Sequence, residues 1–356
     1  MAALVAGGNA SSVHKEGRAA RAIIERARRR LAERFGVAPD AVTFTSGGTE
    51  ASAMALSPGA ARGGSVAERL LVSAIEHPAV LAGGRFAPDA VARIPVLPSG
   101  VVDLAALEAL LAADPRPALV SLMAANNETG VIQPLAEAHR LVHAAGGILH
   151  SDAVQGLGRL PEASLTADLV TISGHKIGAP MGVGALIRRG GTAVAPLIRG
   201  GGQERGARGG TENVAAIAGF DAALDSPAAS PAAWADTQKA RDRFEAALVE
   251  SFPGAIVFGR ESPRLANTSL FAPGATPAEL ALIGLDLAGV ALSSGSACSS
   301  GKVGASHVLA AMGVPEATAR SALRISLGPQ HAERDLVQFL MALREVIVPM
   351  EQLSIS

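Results

Sequence analysis

Lys176 and Asp152 are the residues whose setting first suggests chemistry. Lys176 closes Ser173-Gly174-His175-Lys176, which follows the apolar run Asp168-Leu169-Val170-Thr171-Ile172. A run that short reads as a buried strand, and the small and polar residues after it turn the chain so that the lysine emerges past the strand's C-terminal end. Ligands of open α/β sheets bind along that edge. With polar neighbours and no obvious acidic partner, the lysine is a candidate Schiff-base amine, although the tetrapeptide alone favours a surface lysine. Upstream, the apolar strand Gly147-Ile148-Leu149-His150 ends in Ser151-Asp152-Ala153-Val154-Gln155. An aspartate at one strand end and a lysine at the next form the arrangement that pyridoxal phosphate (PLP) needs. The carboxylate keeps the pyridinium nitrogen protonated, and the amine carries the aldehyde as an imine.

Other residues are weighed in the same way. Cys298, the single cysteine, lies in Ser294-Gly295-Ser296-Ala297-Cys298-Ser299-Ser300-Gly301. Free cysteines are usually buried hydrophobes; one among small polar residues is a candidate nucleophile. Gly47-Gly48-Thr49-Glu50 follows a strand and opens an Ala-rich helix, and a glycine turn at a helix N-terminus offers an anion site. It matches neither a phosphate-binding Walker loop nor a dinucleotide fingerprint. His139 and His143 have the i, i+4 spacing of a zinc pair, but no glutamate stands in the H-E-x-x-H position and no cysteine is near, so no metal is expected. His77 alone fits a strand-end turn as well as an active site.

The elements that must position these residues alternate. Glu16–Phe35 is an amphipathic helix with Ala20, Ile23, Ile24, Ala27 and Leu31 on one face. Its arginines Arg26, Arg28, Arg29 and Arg30 interleave with glutamates and read as a solvated face. Strands are expected at 42–46, 70–75, 92–96, 118–124, 147–150, 168–172 and 182–188, with helices at 103–112 and 134–145. This pattern predicts a doubly wound, mainly parallel sheet with a site along one edge. Asp225-Ser226-Pro227-Ala228-Ala229-Ser230-Pro231 is the linker candidate. It separates a large domain, residues 12–225, from a smaller α+β unit, residues 226–356.

The composition sets limits on function. The chain has 356 residues, 49% hydrophobic and 18% charged, with net charge −1. That supports a large core in one or two domains and argues against nucleic-acid or anionic-membrane partners. No apolar run reaches the ~18 residues of a membrane span. One cysteine excludes internal disulfides and fits a reducing, cytoplasmic setting.

Taken in order, Gly48-Thr49-Glu50, Glu76-His77, Asn126-Asn127-Glu128-Thr129-Gly130, Asp152-Ala153-Val154-Gln155, Ser173-Gly174-His175-Lys176, the Gly200–Thr211 glycine/arginine loop, Ser293-Ser294-Gly295-Ser296-Ala297-Cys298 and Leu323-Arg324-Ile325-Ser326-Leu327-Gly328 resemble the NifS/IscS-type cysteine desulfurases. These are class V, fold-type I PLP enzymes, and the resemblance covers nearly the whole chain. It implies a seven-stranded large sheet and a C-terminal domain carrying the cysteine loop. Lys176 would hold PLP as the imine, Asp152 would pair with the pyridinium nitrogen, Gln155 with the ring hydroxyl, and His77 would stack on the ring. Gly48, Thr49, Ser173 and His175 would hold the phosphate, joined by Thr211 from a second subunit of a homodimer. Asn127 and Arg324 would grip the carboxylate of L-cysteine. Cys298 would accept the sulfur as a persulfide and pass it to an iron–sulfur scaffold or a tRNA-thiolation factor, leaving L-alanine.

Two alternatives stand beside this reading. One is another class V enzyme, a selenocysteine lyase or an aminotransferase, although an aminotransferase needs no thiol loop. The other is a weakly active PLP-binding scaffold. The family usually carries a strand and an Asn-Ala-Thr-Thr-Pro segment ahead of its Gly-Asn-Pro-Ser-Ser-x-His stretch. This chain opens on Gly8-Asn9-Ala10-Ser11-Ser12-Val13-His14, with Ala10 where proline is usual. The chain as written is therefore expected to fold and bind PLP but to desulfurate poorly.

Overall fold

The computed structural model describes residues 8–295, 306–330 and 333–353. The chain divides into two compact units, the first 1–94, 104–124 and 134–231, the second 95–103, 125–133 and 232–356. The single cut expected at 225/226 is thus drawn differently: two short segments, one of them carrying Asn126 to Gly130, group with the C-terminal residues.

In the first unit, helix α1 (Lys15–Phe35) precedes strand β1 (Val42–Thr45), and helix α2 (Gly48–Ala55) follows it. Then come β2 (Arg69–Ser73), β3 (Val91–Ile94), α3 (Leu104–Ala113), β4 (Ala118–Ser121), α4 (Leu135–Ala144), β5 (Ile148–Asp152), β6 (Leu169–Ser173), β7 (Gly184–Arg188) and α5 (Val214–Ala223). The strands form one seven-stranded sheet in the order β1-β7-β6-β5-β4-β2-β3. β3, β2, β4, β5 and β6 pair in parallel, while β7 runs antiparallel to both β6 and β1. This is the mainly parallel sheet that the alternating pattern predicts. β1, β2, β4, β5 and β6 are buried at every residue, polar ones such as Thr43, His150 and Thr171 included, as strands covered on both faces are.

Helix α1 buries Ala20, Ile24, Ala27, Leu31 and Phe35, the face its 3.6 period predicts, and stops where Gly36 takes φ +63°. One of its arginines departs from expectation. Arg28 is not on a solvated face but 1% exposed. Its guanidinium donates to both carboxylate oxygens of Glu204, at 2.7 and 2.8 Å, and to the Val42 carbonyl at 2.7 Å. The Phe44 N–H donates to the same carboxylate at 2.8 Å. The linker candidate is also tied down: the Ser226 hydroxyl donates to the Ile177 carbonyl, and Arg34 donates to that of Ala229.

The second unit holds a small antiparallel sheet of β8 (Ile256–Val257), β9 (Thr268–Ala272), β10 (Ser293–Ser294) and β11 (Leu323–Ser326), in the order β8-β9-β11-β10. Helices α6 (Ala235–Ser251), α7 (Ala278–Leu287) and α8 (Glu333–Leu353) supply the core around Phe244, Phe271 and Phe339. The Phe244 and Phe271 rings meet edge-on at 5.5 Å, a favoured aromatic geometry.

Removing one partner of a buried ion pair costs about 3–5 kcal/mol because the other charge stays desolvated. Glu204→Ala should therefore lower the melting temperature sharply, and adding Arg28→Met to it should restore most of the loss. A single variant that melts like the parent would show that the pair does not hold α1 to β1.

Candidate active site

The C-terminal edge of the large sheet is set by register. Thr45 of β1 and Ser173 of β6 both pair with Gly184 of β7, and Asp152 of β5 pairs with Thr171 of β6. A Cβ at Gly184 would lie 2.7 Å from backbone atoms of Gly47 and Ile172, so only glycine lets the β1 turn come this close. The turn then delivers Gly48 against the other strand ends: a Cβ there would meet Val154 Cγ2 at 2.7 Å and Ser173 Cβ at 3.6 Å. No side chain caps the start of α2. Glu50 instead accepts from the Ser46 N–H and pairs with Arg208, both at 2.9 Å. Beside this helix start the Ser173 hydroxyl and His175 Nδ1 lie 2.9 Å apart. Partial burial, then the charges of Lys176 and Arg159, keep the His175 imidazole below its usual proton affinity.

Two acids are buried nearby. Asp152, 8% exposed, accepts the Val154 N–H at 3.0 Å. Burial pushes its carboxyl up to about 6, against that N–H and the Lys176 charge. Glu76 is fully buried and accepts the Met123 N–H at 2.6 Å. Burial, then the Asp152 charge, raise it well above the usual carboxylate range. His77 caps the short helix Pro78–Leu81 by accepting the Ala79 N–H at Nδ1, 3.1 Å, so its ring proton sits on Nε2.

Lys176 sits half-buried in the 3₁₀ turn that follows β6. Arg159 donates to the Gln155 carbonyl at 3.2 Å and to the Lys176 carbonyl at 3.1 Å. One guanidinium thus fixes the turn after Asp152 relative to the turn bearing the lysine. Arg159 carries one local signal in the sequence, its i, i+4 spacing from Gln155. Thr49 and Thr211 are exposed.

In the second unit, Asn126 Oδ1 accepts the N–H groups of Glu128 and Thr129, both at 2.9 Å, and Gly130 closes the loop at φ +76°. The loop presents the Asn127 carbonyl to Arg324 Nη1 at 3.0 Å. Arg324 Nε is buried without a hydrogen-bond partner among the described residues. Glu128 accepts from the Ser306 hydroxyl at 2.5 Å, and a Cβ on Gly295 would lie 3.6 Å from its Oε2. Burial pushes Glu128 up to about 7, against the Ser306 hydrogen bond and the Arg324 charge. The sequence motif contained Glu128 but gave it no role. Cys298 lies outside the described residues.

The first-unit donors suit PLP. An uncapped helix start beside a hydroxyl and an imidazole accepts an anion. A buried carboxyl with raised proton affinity is relieved by a cation, and an amine stands on the adjacent turn.

The aminotransferase class-V family model matches residues 4–339. A cysteine desulfurase of Cereibacter sphaeroides is 40% identical, over 98% of this chain and 90% of its own. A NifS-like protein from Rickettsia africae superposes with TM-score 0.86 at 36% identity, covering 97% of this chain and 93% of its own. The structure titled SspA in complex with cysteine gives 0.75 at 28% identity, covering 92% and 93%.

A carboxyl raised in the folded state stabilises fully below its unfolded value, and loses that contribution as pH rises through the folded one. For Glu128 the window runs from 4.5 to about 7. Glu128→Gln escapes the loss. Thermal melts should show the variant gaining on the parent between pH 5 and pH 8 by on the order of 3 kcal/mol. A difference independent of pH would contradict the burial of this charge.

Proposed function

The chain belongs to the aminotransferase class-V family and is a cysteine desulfurase of the NifS/IscS type, and from that premise we propose how its own residues divide the work. The family's enzymes use PLP, which when bound supplies an electron sink for charge developing at the substrate α-carbon. Here the start of α2 from Gly48 and Thr49, with Ser173 and His175, holds the phosphate. Asp152 pairs with the ring nitrogen, Gln155 with the ring hydroxyl, and His77 lies against the ring. Thr211 completes the phosphate site of a second copy, so the working form is a homodimer.

Lys176 Nζ would hold the cofactor as its imine, and once L-cysteine is bound the Lys176 amine would be the base that takes the substrate α-proton. Asn127 and Arg324 hold the substrate carboxylate, the guanidinium by charge-assisted hydrogen bonds. Cys298 as thiolate attacks the substrate sulfur; the S–S bond of a persulfide forms as the substrate Cβ–S bond breaks, the electron pair goes to the carbon fragment, and that fragment takes a proton and leaves as alanine. The persulfide passes to an acceptor protein, an iron–sulfur scaffold or a tRNA-thiolation factor, in a reducing cytoplasm where the thiol survives. The observation that supports this reading most is the Arg159 fork, which sets the spacing between the Asp152–Gln155 turn and the Lys176 turn.

The PLP-loaded protein, given L-cysteine and a reductant, should release sulfide and alanine in equal amounts. 3-Mercaptopyruvate without sulfide would indicate an aminotransferase. Lys176→Ala should lose both turnover and the visible absorbance of the linked cofactor; a borohydride-reducible adduct in that variant would move the Schiff base elsewhere.

Cys298→Ser should keep the spectral response to L-cysteine and lose sulfide release. Sulfide at the parent rate would mean a lyase that needs no acceptor thiol.

A further inference from the structure

We propose that His139, His143 and Asp168 form a binding site for a zinc-class divalent cation at the N-terminal ends of β5 and β6, the sheet edge opposite Asp152 and Lys176. The two histidines stand on the last turns of α4, with ring centroids 3.7 Å apart. His143 Nε2 lies 2.9 Å from one oxygen of Asp168 and 3.0 Å from the other, and His139 Nε2 lies 3.8 Å from the nearer one. The three ligand atoms fall within 4.8 Å of one another. Metal bonds of about 2.1 Å place neighbouring ligand atoms roughly 3.0–3.4 Å apart. Side-chain shifts of about an ångström or less by each ligand therefore complete the set.

Asp168 is 3% exposed and aimed by the Leu149 N–H, which donates to Oδ2 at 2.8 Å. The carbonyl end of α4 adds partial negative charge. One group competes: Arg62 Nε lies 3.0 Å from Asp168 Oδ1. Its side chain is 32% exposed, so it can swing into solvent when a cation takes its place. Asp168 stands 25 residues beyond His143, outside any local ligand spacing on the helix.

Zinc binding to the PLP-loaded Cys298→Ser protein, which removes the competing thiol, tests the proposal by equilibrium dialysis and by thermal melts. One equivalent per chain is expected at micromolar zinc, with a rise in melting temperature. His139→Gln and His143→Gln, at partly exposed positions where glutamine keeps a hydrogen-bonding side chain, should each weaken binding at least about tenfold and abolish that rise. Arg62→Gln should tighten binding several-fold, since a competing charge is gone; a merely structural ion pair would not do this. No zinc bound at micromolar concentration, equal binding by the histidine variants, or affinity unchanged in Arg62→Gln would each overturn the assignment.

Discussion

A guanidinium and a carboxylate buried together, Arg28 and Glu204, fix the geometry on which the sheet edge depends. The pair joins residues 176 positions apart and grips the outer edge of β1 at two points, the Val42 carbonyl and the Phe44 N–H. A one-residue slip of β1 would turn every side chain to the wrong face; bonds to two of its backbone groups forbid that slip. The register of β1 then decides where Gly47 and Gly48 stand, and these deliver the start of α2 to Val154 and Ser173. The loop that supplies Glu204 accepts strain in return, with Glu204 at φ +46° and Arg205 at φ +57°. Each such residue costs about 1–3 kcal/mol, less than an unpaired buried charge would.

The parallel arrangement explains why so many polar groups collect at one edge. Strands β1, β2, β4, β5 and β6 all end there, and each closes on a buried polar residue, Thr45, Ser73, Ser121, Asp152 and Ser173 in turn, before the turns beyond. Those turns are held by side chains acting on backbone: Arg159 on the Gln155 and Lys176 carbonyls, Asp152 on the Val154 N–H, His77 on the Ala79 N–H. A site made of turns acquires in this way the rigidity that positioning for chemistry requires.

Legibility followed sequence separation. Strand ends with polar residues could be read directly, because a short apolar run and its exit are local features; Asp152 and Lys176 were visible for that reason. The parallel sheet followed from alternation alone. Long-range pairs left no local trace. Arg28 looked like one more solvated arginine because Glu204 is far away in sequence, and Asp168 could not be tied to His143. The segment Ala125–Gln133 read as the exit of a strand in the large domain, yet Asn127 bonds Arg324 and Glu128 bonds Ser306, all in the second unit. Only those contacts, 197 and 178 residues apart, reveal where it belongs.

Three buried carboxyl groups stand against the stability of the chain. Glu76, Asp152 and Glu128 all have raised proton affinities with burial as the largest cause, so each loses stabilisation as pH rises through its folded value. His150 is buried as deeply and behaves in the opposite way. Its imidazole is held down to about 3, so its contribution is present above 6.5 and lost as pH falls toward 3. The difference lies in which form the surroundings complete. Neutral His150 has Ser121 and Thr171 on its two ring nitrogens and needs nothing more. Asp152 has one N–H and the field of a lysine, and Glu128 a serine and the field of an arginine. Charged groups left that short of partners are costly to the unliganded fold, and the cost is recovered when a ligand brings the missing charge, where it appears as affinity. A cation placed beside Asp152 would recover it directly. Under the proposed function that cation is the protonated ring nitrogen of the cofactor, so the residue whose burial weakens the sheet edge is also the one that would favour a protonated heterocycle there.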